Sequence, residues 1–230
     1  MLAKGAAACG IIALIGTGSA QQPSELGFST RVSAMLAAKY AERFGASTVQ
    51  RIGRWKTFAR ERKGFSPTRV FETPDGHEAA LEMVNAAIND NVTWKEDREH
   101  WGAEDYWATP AELIGSAGGD CEDYAIAKYY LLKELGVPIA RLRITYVRVL
   151  NLNGQAHMVL AYYASAEAEP LILDNLVPRV RPASQRTDLD PVYSFNDDEI
   201  RLVAGGRRGK PSEIRNWIHV QTRLAMEARI

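Results

Sequence analysis

The stretch that decides the fold is GGDCEDYAIAKYYLLKELGVP, residues 118–138. From Cys121 to Leu135, apolar or aromatic side chains occur on nearly every face of a helix, a pattern typical of a helix enclosed by the rest of the protein. Gly136 and Pro138 end the pattern, because glycine favours the position after a helix and proline cannot continue one. We therefore predict a central buried helix that begins at Cys121.

The segments on either side predict helices before the central helix and strands after it. Apolar residues recur at helical spacing in the upstream segments 32–44, 49–58 and 77–89, and again from Ile214 to Leu224. Strand patterns occur at 141–150, 155–163 and 170–176. Loops are expected at 63–76 and 186–196, and a solvated basic turn at 201–210. The order predicts an α+β fold in which the central helix packs on an antiparallel sheet, with flanking helices.

The first twenty residues have the pattern of an export signal. Lys4 precedes a short apolar run, and small residues follow it up to Ala20. The run is shorter than the about 20 apolar residues that span a bilayer, although an uncleaved membrane anchor remains an alternative. We expect a signal peptide at 1–20, a single domain at 21–230, a periplasmic location and no stable membrane insertion.

The composition argues against nucleic acid as a partner and leaves one cysteine in the exported chain. The chain has 28 basic and 28 acidic residues, and loss of Lys4 with the signal leaves 27 against 28. That balance gives no electrostatic basis for binding nucleic acid. Of the two cysteines, Cys9 lies in the signal, so the exported chain keeps Cys121 alone, with no partner for an internal disulfide. The Cys121 thiol is then either buried and inert or part of a functional site.

Three residues predict a nucleophilic site. Cys121 would lie at a helix start, where unpaired N–H groups and the helix dipole favour a thiolate. His157 lies inside a buried strand pattern, and Asp174 is the one acid in the neighbouring strand pattern. An unpaired buried carboxylate is costly, so we expect Asp174 to orient His157, which would serve Cys121 as general base. A satisfied core histidine is the alternative.

The acids around Cys121 allow two interpretations. Asp120, Glu122 and Asp123 would occupy the first helical turn, where acids favour helix formation and D-x-x-D resembles a capping box. However, three carboxylates beside a thiolate oppose its ionisation. A calcium ion would relieve that opposition, because calcium accepts several carboxylate oxygens, and Glu104 and Asp105 could supply more ligands.

Several stretches together resemble one family. HWGAEDYWATPAELIGSAGGDCEDYAIAKYYLLKELGVP, AHMVLAYY, LILDNL and RTDLDPVYSFN are similar to the bacterial transglutaminase-like cysteine proteinases, in particular the periplasmic LapG type. The resemblance implies a papain-like, transglutaminase-type core with a triad of Cys121, His157 and Asp174. It also implies calcium held by Asp105, Asp120, Glu122 and Asp123.

The resemblance further implies a function. Members of this type are calcium-dependent endopeptidases that cleave the N-terminal region of a large surface adhesin, which releases biofilm cells. An inner-membrane receptor for cyclic di-GMP holds them inactive, and an exposed Trp107 would be a candidate contact for it. Two alternatives stay open: a thiol acyltransferase of the transglutaminase kind, and a non-catalytic module that binds calcium or the receptor.

Overall fold

The computed structural model describes residues 32–63 and 74–230. The predicted signal peptide, residues 1–20, lies outside the described residues, as does most of the loop predicted at 63–76. Within the described ranges, no helix combines the length and the apolar composition needed to cross a bilayer.

Three amphipathic helices come first: α1 (Ala34–Phe44), α2 (Ser47–Lys63) and α3 (Pro74–Asn89). The predicted apolar stripes are confirmed at the buried side chains of Leu36, Tyr40, Ile52, Trp55, Leu81, Val84 and Ile88. Two stripe members, Met35 and Val49, are instead 63% and 50% exposed. Both lie in the first turn of their helix.

Four short elements link these helices to the centre of the molecule: β1 (Thr93–Trp94), α4 (Asp97–His100), α5 (Pro110–Ser116) and β2 (Gly118–Gly119). β1 and β2 pair in parallel, with Trp94 opposite Gly119. α5 begins with a capping box in which the Thr109 hydroxyl accepts from the N–H of Glu112, while the Glu112 carboxylate accepts from the N–H of Thr109. These elements bring residues 93–119 around the start of the next helix.

The central helix α6 (Cys121–Glu134) is buried as predicted, with 12 of its 14 residues enclosed. Gly136 follows it with φ +91°, a backbone conformation that glycine adopts without strain. The helix N-terminus, and Cys121 with it, therefore has a position fixed by packing along the whole helix.

A seven-stranded antiparallel sheet follows, in the order β6-β5-β4-β3-β7-β8-β9. Its strands are β3 (Leu142–Val149), β4 (Gln155–Tyr162), β5 (Leu171–Leu173), β6 (Arg181–Pro182), β7 (Leu189–Phe195), β8 (Ile200–Leu202) and β9 (Arg208–Gly209). α6 packs against β3 and β4, which confirms the α+β arrangement. The last helix, α7 (Arg215–Glu227), buries Trp217 against Tyr129, Tyr130 and Phe195.

Two predicted loops are strands. Residues 189–195 form β7 rather than part of a loop at 186–196, and the basic stretch 201–210 contributes to β8 and β9 rather than a solvated turn. Pro191 argues against a strand in the sequence because it has no N–H for the ladder. In the structure a register shift between Tyr146 and Val147 accommodates it next to β3.

Gly119 provides a test of the packing around the start of α6. A Cβ at Gly119 would lie 2.4 Å from Asp123 Oδ2 and 2.6 Å from Leu113 Cδ1, whereas one at Gly53 in α2 would meet nothing within 4 Å. We expect Gly119→Ala to lower the free energy of unfolding by about 1–3 kcal/mol, the usual scale of overpacking. Gly53→Ala should be neutral or stabilising by up to about 1 kcal/mol. Equal denaturation midpoints for the two variants would contradict the packing.

Candidate active site

A histidine and a carboxylate meet between β4 and the end of β5. His157 Nε2 lies 2.7 Å from Asp174 Oδ1, and both side chains are buried. The backbone N–H of Leu176 also donates to Oδ1 at 3.0 Å, and Arg186 Nη2 donates to Oδ2 at 2.7 Å. The predicted pairing of His157 with Asp174 is therefore present in the structure.

These contacts keep Asp174 ionised although it is buried. Burial alone would raise the pKa of the carboxyl, but hydrogen bonds and charge from His157, with smaller contributions from the Leu176 N–H and Arg186, lower it to about 2. A carboxylate in this state accepts the Nε2 proton of a neutral imidazole. The Nδ1 atom of His157 is then the nitrogen left for proton transfer.

A polar stripe on α3 holds the segment that carries Asp174. Asn89 Nδ2 donates to the Asp174 carbonyl oxygen at 2.8 Å, and Asn85 Nδ2 donates to the Pro178 carbonyl at 2.7 Å. Glu82 accepts from the N–H of Val180 at 3.0 Å. The sequence interpretation missed this role, because polar residues beside an apolar stripe look like a solvent-facing surface.

Cys121 is the first residue of α6 and lies against β4. Its Sγ donates to Glu122 Oε2 at 3.1 Å, and the backbone N–H of Met158 points at the sulfur. Met158 directly follows His157, so the sulfur lies beside the part of β4 that carries His157. The structure thus joins His157 to Asp174 and sets Cys121 beside the same strand, while the working triad stays a prediction.

The N–H groups and dipole at the start of α6 do not determine the pKa of the Cys121 thiol; burial does. Burial raises the pKa of Cys121 well above its ordinary value, and the charges of Glu122 and Asp120 raise it further. The hydrogen bond from the Met158 N–H acts in the opposite direction but is weaker. With the carboxylates uncompensated, the cysteine is a thiol, as expected if the neighbouring acids oppose its ionisation.

Those acids form a buried cluster with an unpredicted member. Carboxylate oxygens of Asp97, Asp120 and Asp123 lie within 4.8 Å of one another, and those of Asp97, Asp105 and Glu122 form an overlapping group. We call these five residues the acidic cluster. Asp97, in the short helix α4, was missed because nothing in the sequence around it indicates that it folds back onto the start of α6.

The acidic cluster is not explained by helix capping. Asp120 occupies the N-cap position of α6, but its side chain makes no capping hydrogen bond, so the capping interpretation is wrong for this residue. One oxygen each of Asp97, Asp120 and Asp123 is buried and has no hydrogen-bond partner among the described residues. Burial and the neighbouring acids raise the pKa of Asp120 to about 10, and burial, with smaller contributions from Glu122 and Asp105, raises that of Asp97 to about 6.

The acids on the rim of the cluster differ in their partners. Asp105 is exposed and accepts from Trp107 Nε1 at 2.9 Å and from Asn216 Nδ2 at 2.7 Å. Trp107 is only 7% exposed and stacks on Phe195, so the prediction of an exposed contact residue is wrong. Glu104, the other acid considered, is exposed and pairs with Arg98 outside the cluster.

The donor set of the cluster fits a calcium ion. All five side chains offer carboxylate oxygens, the ligands that hard divalent cations prefer, and calcium accommodates six to eight of them. Each of Asp97, Asp120 and Asp123 has one buried oxygen without a hydrogen-bond partner among the described residues, and the three carboxylates lie close together, which is a condition that a bound cation would satisfy. Zinc fits less well because structural zinc sites favour sulfur and imidazole ligands.

Comparisons with known proteins agree with this geometry. Residues 59–193 match the family of bacterial transglutaminase-like cysteine proteinases, BTLCP. The chain belongs to this family of cysteine proteases, and its fold is the α+β core expected from the resemblance. A search of curated proteins found no match.

Solved structures of LapG from Legionella pneumophila are similar to this chain. The EGTA-treated form is 36% identical, covers 84% of this chain and 98% of its own, and has a TM-score of 0.68. A further LapG structure is 37% identical, with 84% and 96% covered and a TM-score of 0.67. The calcium-bound form is 36% identical, with 84% and 99% covered and a TM-score of 0.65.

The acidic cluster predicts that calcium stabilises the protein. At a free calcium concentration about 100-fold above Kd, the melting temperature should rise by roughly 5–10 °C. Asp97→Asn should reduce this rise strongly without lowering the melting temperature in chelator, because it removes a buried negative charge. Differential scanning fluorimetry with EGTA and then with excess calcium would measure both.

Glu104→Gln is the matched control, since Glu104 is an exposed neighbouring acid outside the cluster. Its calcium response should equal that of the parent chain. A parent chain with the same melting temperature in EGTA and in calcium would contradict the assignment, as would equal responses of the two variants.

Proposed function

We propose that this chain is a periplasmic, calcium-dependent cysteine endopeptidase that uses Cys121, His157 and Asp174. The observation that carries the proposal is the buried contact of Asp174 with His157, which lies on the strand against which the Cys121 sulfur packs. Membership of a cysteine proteinase family supports the same reaction class.

Cys121 is the nucleophile of the proposed reaction. His157 takes the Sγ proton at Nδ1 while Asp174 holds Nε2–H, and the thiolate attacks the carbonyl carbon of the scissile peptide. His157 then gives that proton to the leaving amine, which separates from the thioester. Water, deprotonated by His157, attacks the thioester carbonyl carbon, the C–S bond breaks to release the second product, and the Cys121 thiolate takes the proton back from His157.

The oxyanion formed in each step needs a hydrogen-bond donor. The backbone N–H of Cys121 is one of the first N–H groups of α6 and has no acceptor within the helix. It lies beside the sulfur and is the proposed donor, at the positive end of the helix dipole.

The acidic cluster would hold calcium through Asp97, Asp105, Asp120, Glu122 and Asp123. When bound, the ion supplies positive charge that offsets these carboxylates and favours the thiolate form of Cys121. The backbone N–H of Ala108, which donates to Asp123 Oδ1 at 2.6 Å, ties the loop before α5 to the start of α6. The cluster thereby positions the helix start.

The substrate and the regulator are proposed from the resemblance to the LapG type. We propose a large surface adhesin, cut in its N-terminal region with release of biofilm cells, and an inner-membrane cyclic di-GMP receptor that restrains the protease. The export pattern of residues 1–20 supports the periplasmic location that both partners require.

The direct test is cleavage of an adhesin N-terminal fragment by residues 21–230. We expect product with calcium and none for Cys121→Ala, because the thioester cannot form, while the melting temperature stays within about 2 °C of the parent. Ser165→Ala, in an exposed loop, is the control and should cleave normally.

Full cleavage by Cys121→Ala would contradict the mechanism. A labelled amine that is incorporated without chain cleavage would instead favour acyl transfer of the transglutaminase kind.

A further inference from the structure

We propose that Arg186 is a positioning residue of the site: its guanidinium fixes the Asp174 carboxylate so that the other oxygen of Asp174 stays on His157. This inference rests on the proposed function, in which His157 is the general base. Arg186 is the first residue of the stretch RTDLDP, residues 186–191.

The two oxygens of Asp174 have separate partners. Oδ1 accepts from His157 Nε2 at 2.7 Å and from the Leu176 N–H at 3.0 Å, and Oδ2 accepts from Arg186 Nη2 at 2.7 Å. A carboxylate held by one oxygen can rotate away from its partner, whereas one held from both sides cannot. Arg186 therefore fixes the direction in which Asp174 presents Oδ1.

Arg186 is itself fixed by a second acid. Its Nε donates to Asp188 Oδ1 at 2.9 Å and its Nη2 donates to Asp188 Oδ2 at 2.8 Å, a bidentate pair. The planar fork of arginine matches a carboxylate in this way, and lysine cannot reproduce the geometry. Asp188 thus orients Arg186, which orients Asp174, which orients His157.

The burial of Arg186 argues against a purely structural ion pair. Its side chain is 3% exposed and that of Asp174 is 0% exposed. Buried ion pairs often stabilise a fold no better than apolar residues of the same volume, because both charges lose their hydration. Arg186 Nη1 is also buried without a hydrogen-bond partner among the described residues. The position of the guanidinium therefore satisfies Asp174 and Asp188 while one of its own donor nitrogens stays unpaired among those residues.

The charges that face Asp174 come from three directions. His157 approaches from β4, Arg186 from the loop before β7, and Lys128 from α6, two turns beyond Cys121. Lys128 is fully buried, and burial lowers its pKa to about 7 while Asp174 opposes that change. Asp188 is the one acid besides Asp174 that forms an ion pair with Arg186 among the described residues.

Substitution of Arg186 tests the role through kinetics. In Arg186→Gln, kcat for the adhesin fragment should fall roughly 10- to 100-fold with KM within about twofold, because a reacting group displaced by about 1 Å loses rate on that scale. The acid limb of the kcat profile should move to higher pH, because Asp174 loses a cation that keeps it ionised. Arg186→Lys should recover part of the pH shift and less of kcat.

Arg148→Gln is the matched control, because Arg148 forms an exposed pair with Asp190 on the same sheet. It should match the parent in kcat and in pH profile. If Arg186→Gln does not fold, Arg186→Lys and Asp188→Asn carry the same comparison. Unchanged kcat and pH profile in folded Arg186 and Asp188 variants would overturn the proposal.

A second arm needs no substrate. In a chain labelled with ¹⁵N-histidine, the His157 signals, assigned by their loss in His157→Gln, should show the proton on Nε2 in the parent and a mixture of tautomers in Arg186→Gln. The same tautomer in both would overturn the role of Arg186. A parent chain that cleaves nothing would count against the proposed function, and the tautomer result would still decide this inference.

Discussion

Three carboxylates that share one buried space are the constraint on which the rest of the site depends. Asp97, Asp120 and Asp123 bring oxygens within 4.8 Å of one another, where two unit charges repel by roughly 3 kcal/mol even at an effective dielectric of about 20. Among the described residues, none of the three forms an ion pair with a lysine or arginine. The protein must therefore hold protons there or bind a cation, and the two conditions give the adjacent thiol different electrostatic surroundings.

The central helix connects this constraint to the proposed chemistry. Its N-cap and first turn contain Asp120, Cys121, Glu122 and Asp123. Its buried length fixes that turn against β4 and the His157–Asp174 pair. The other partners of the pair come from elsewhere: Asn89 of α3 holds the backbone at Asp174, and Arg186 holds the second carboxylate oxygen of Asp174. The site is thus assembled from a helix end, two strands and two supporting segments, and the acidic cluster acts on it through charge at the helix start.

The sequence predicted those features that show as local periodicity or as a polar residue inside an apolar run. Apolar runs interrupted by single polar residues predicted the buried helix that begins at Cys121. They also predicted the strand that carries His157, its two neighbouring strands and the pairing of His157 with Asp174. Asp97 and Arg186 could not be found in this way, because each lies in a short connecting segment whose path only the tertiary structure defines. Pro191 concealed β7 for a related reason: the pairing of β7 with β3 is irregular next to Pro191, and such an irregularity leaves no local mark in the sequence. Trp107 looked like an exposed aromatic because its stacking partner, Phe195, lies 88 positions further along the chain.

The central claim is that a cation in the acidic cluster makes Cys121 reactive, and the rate of thiol alkylation tests it most directly. Residues 21–230 contain this one cysteine, so iodoacetamide incorporation at neutral pH reports on it alone. The account predicts slow modification in EGTA, a rate at least about tenfold higher in calcium because the thiolate fraction rises, and little calcium effect in Asp97→Asn. Equal alkylation rates in EGTA and in calcium for the parent chain would contradict it.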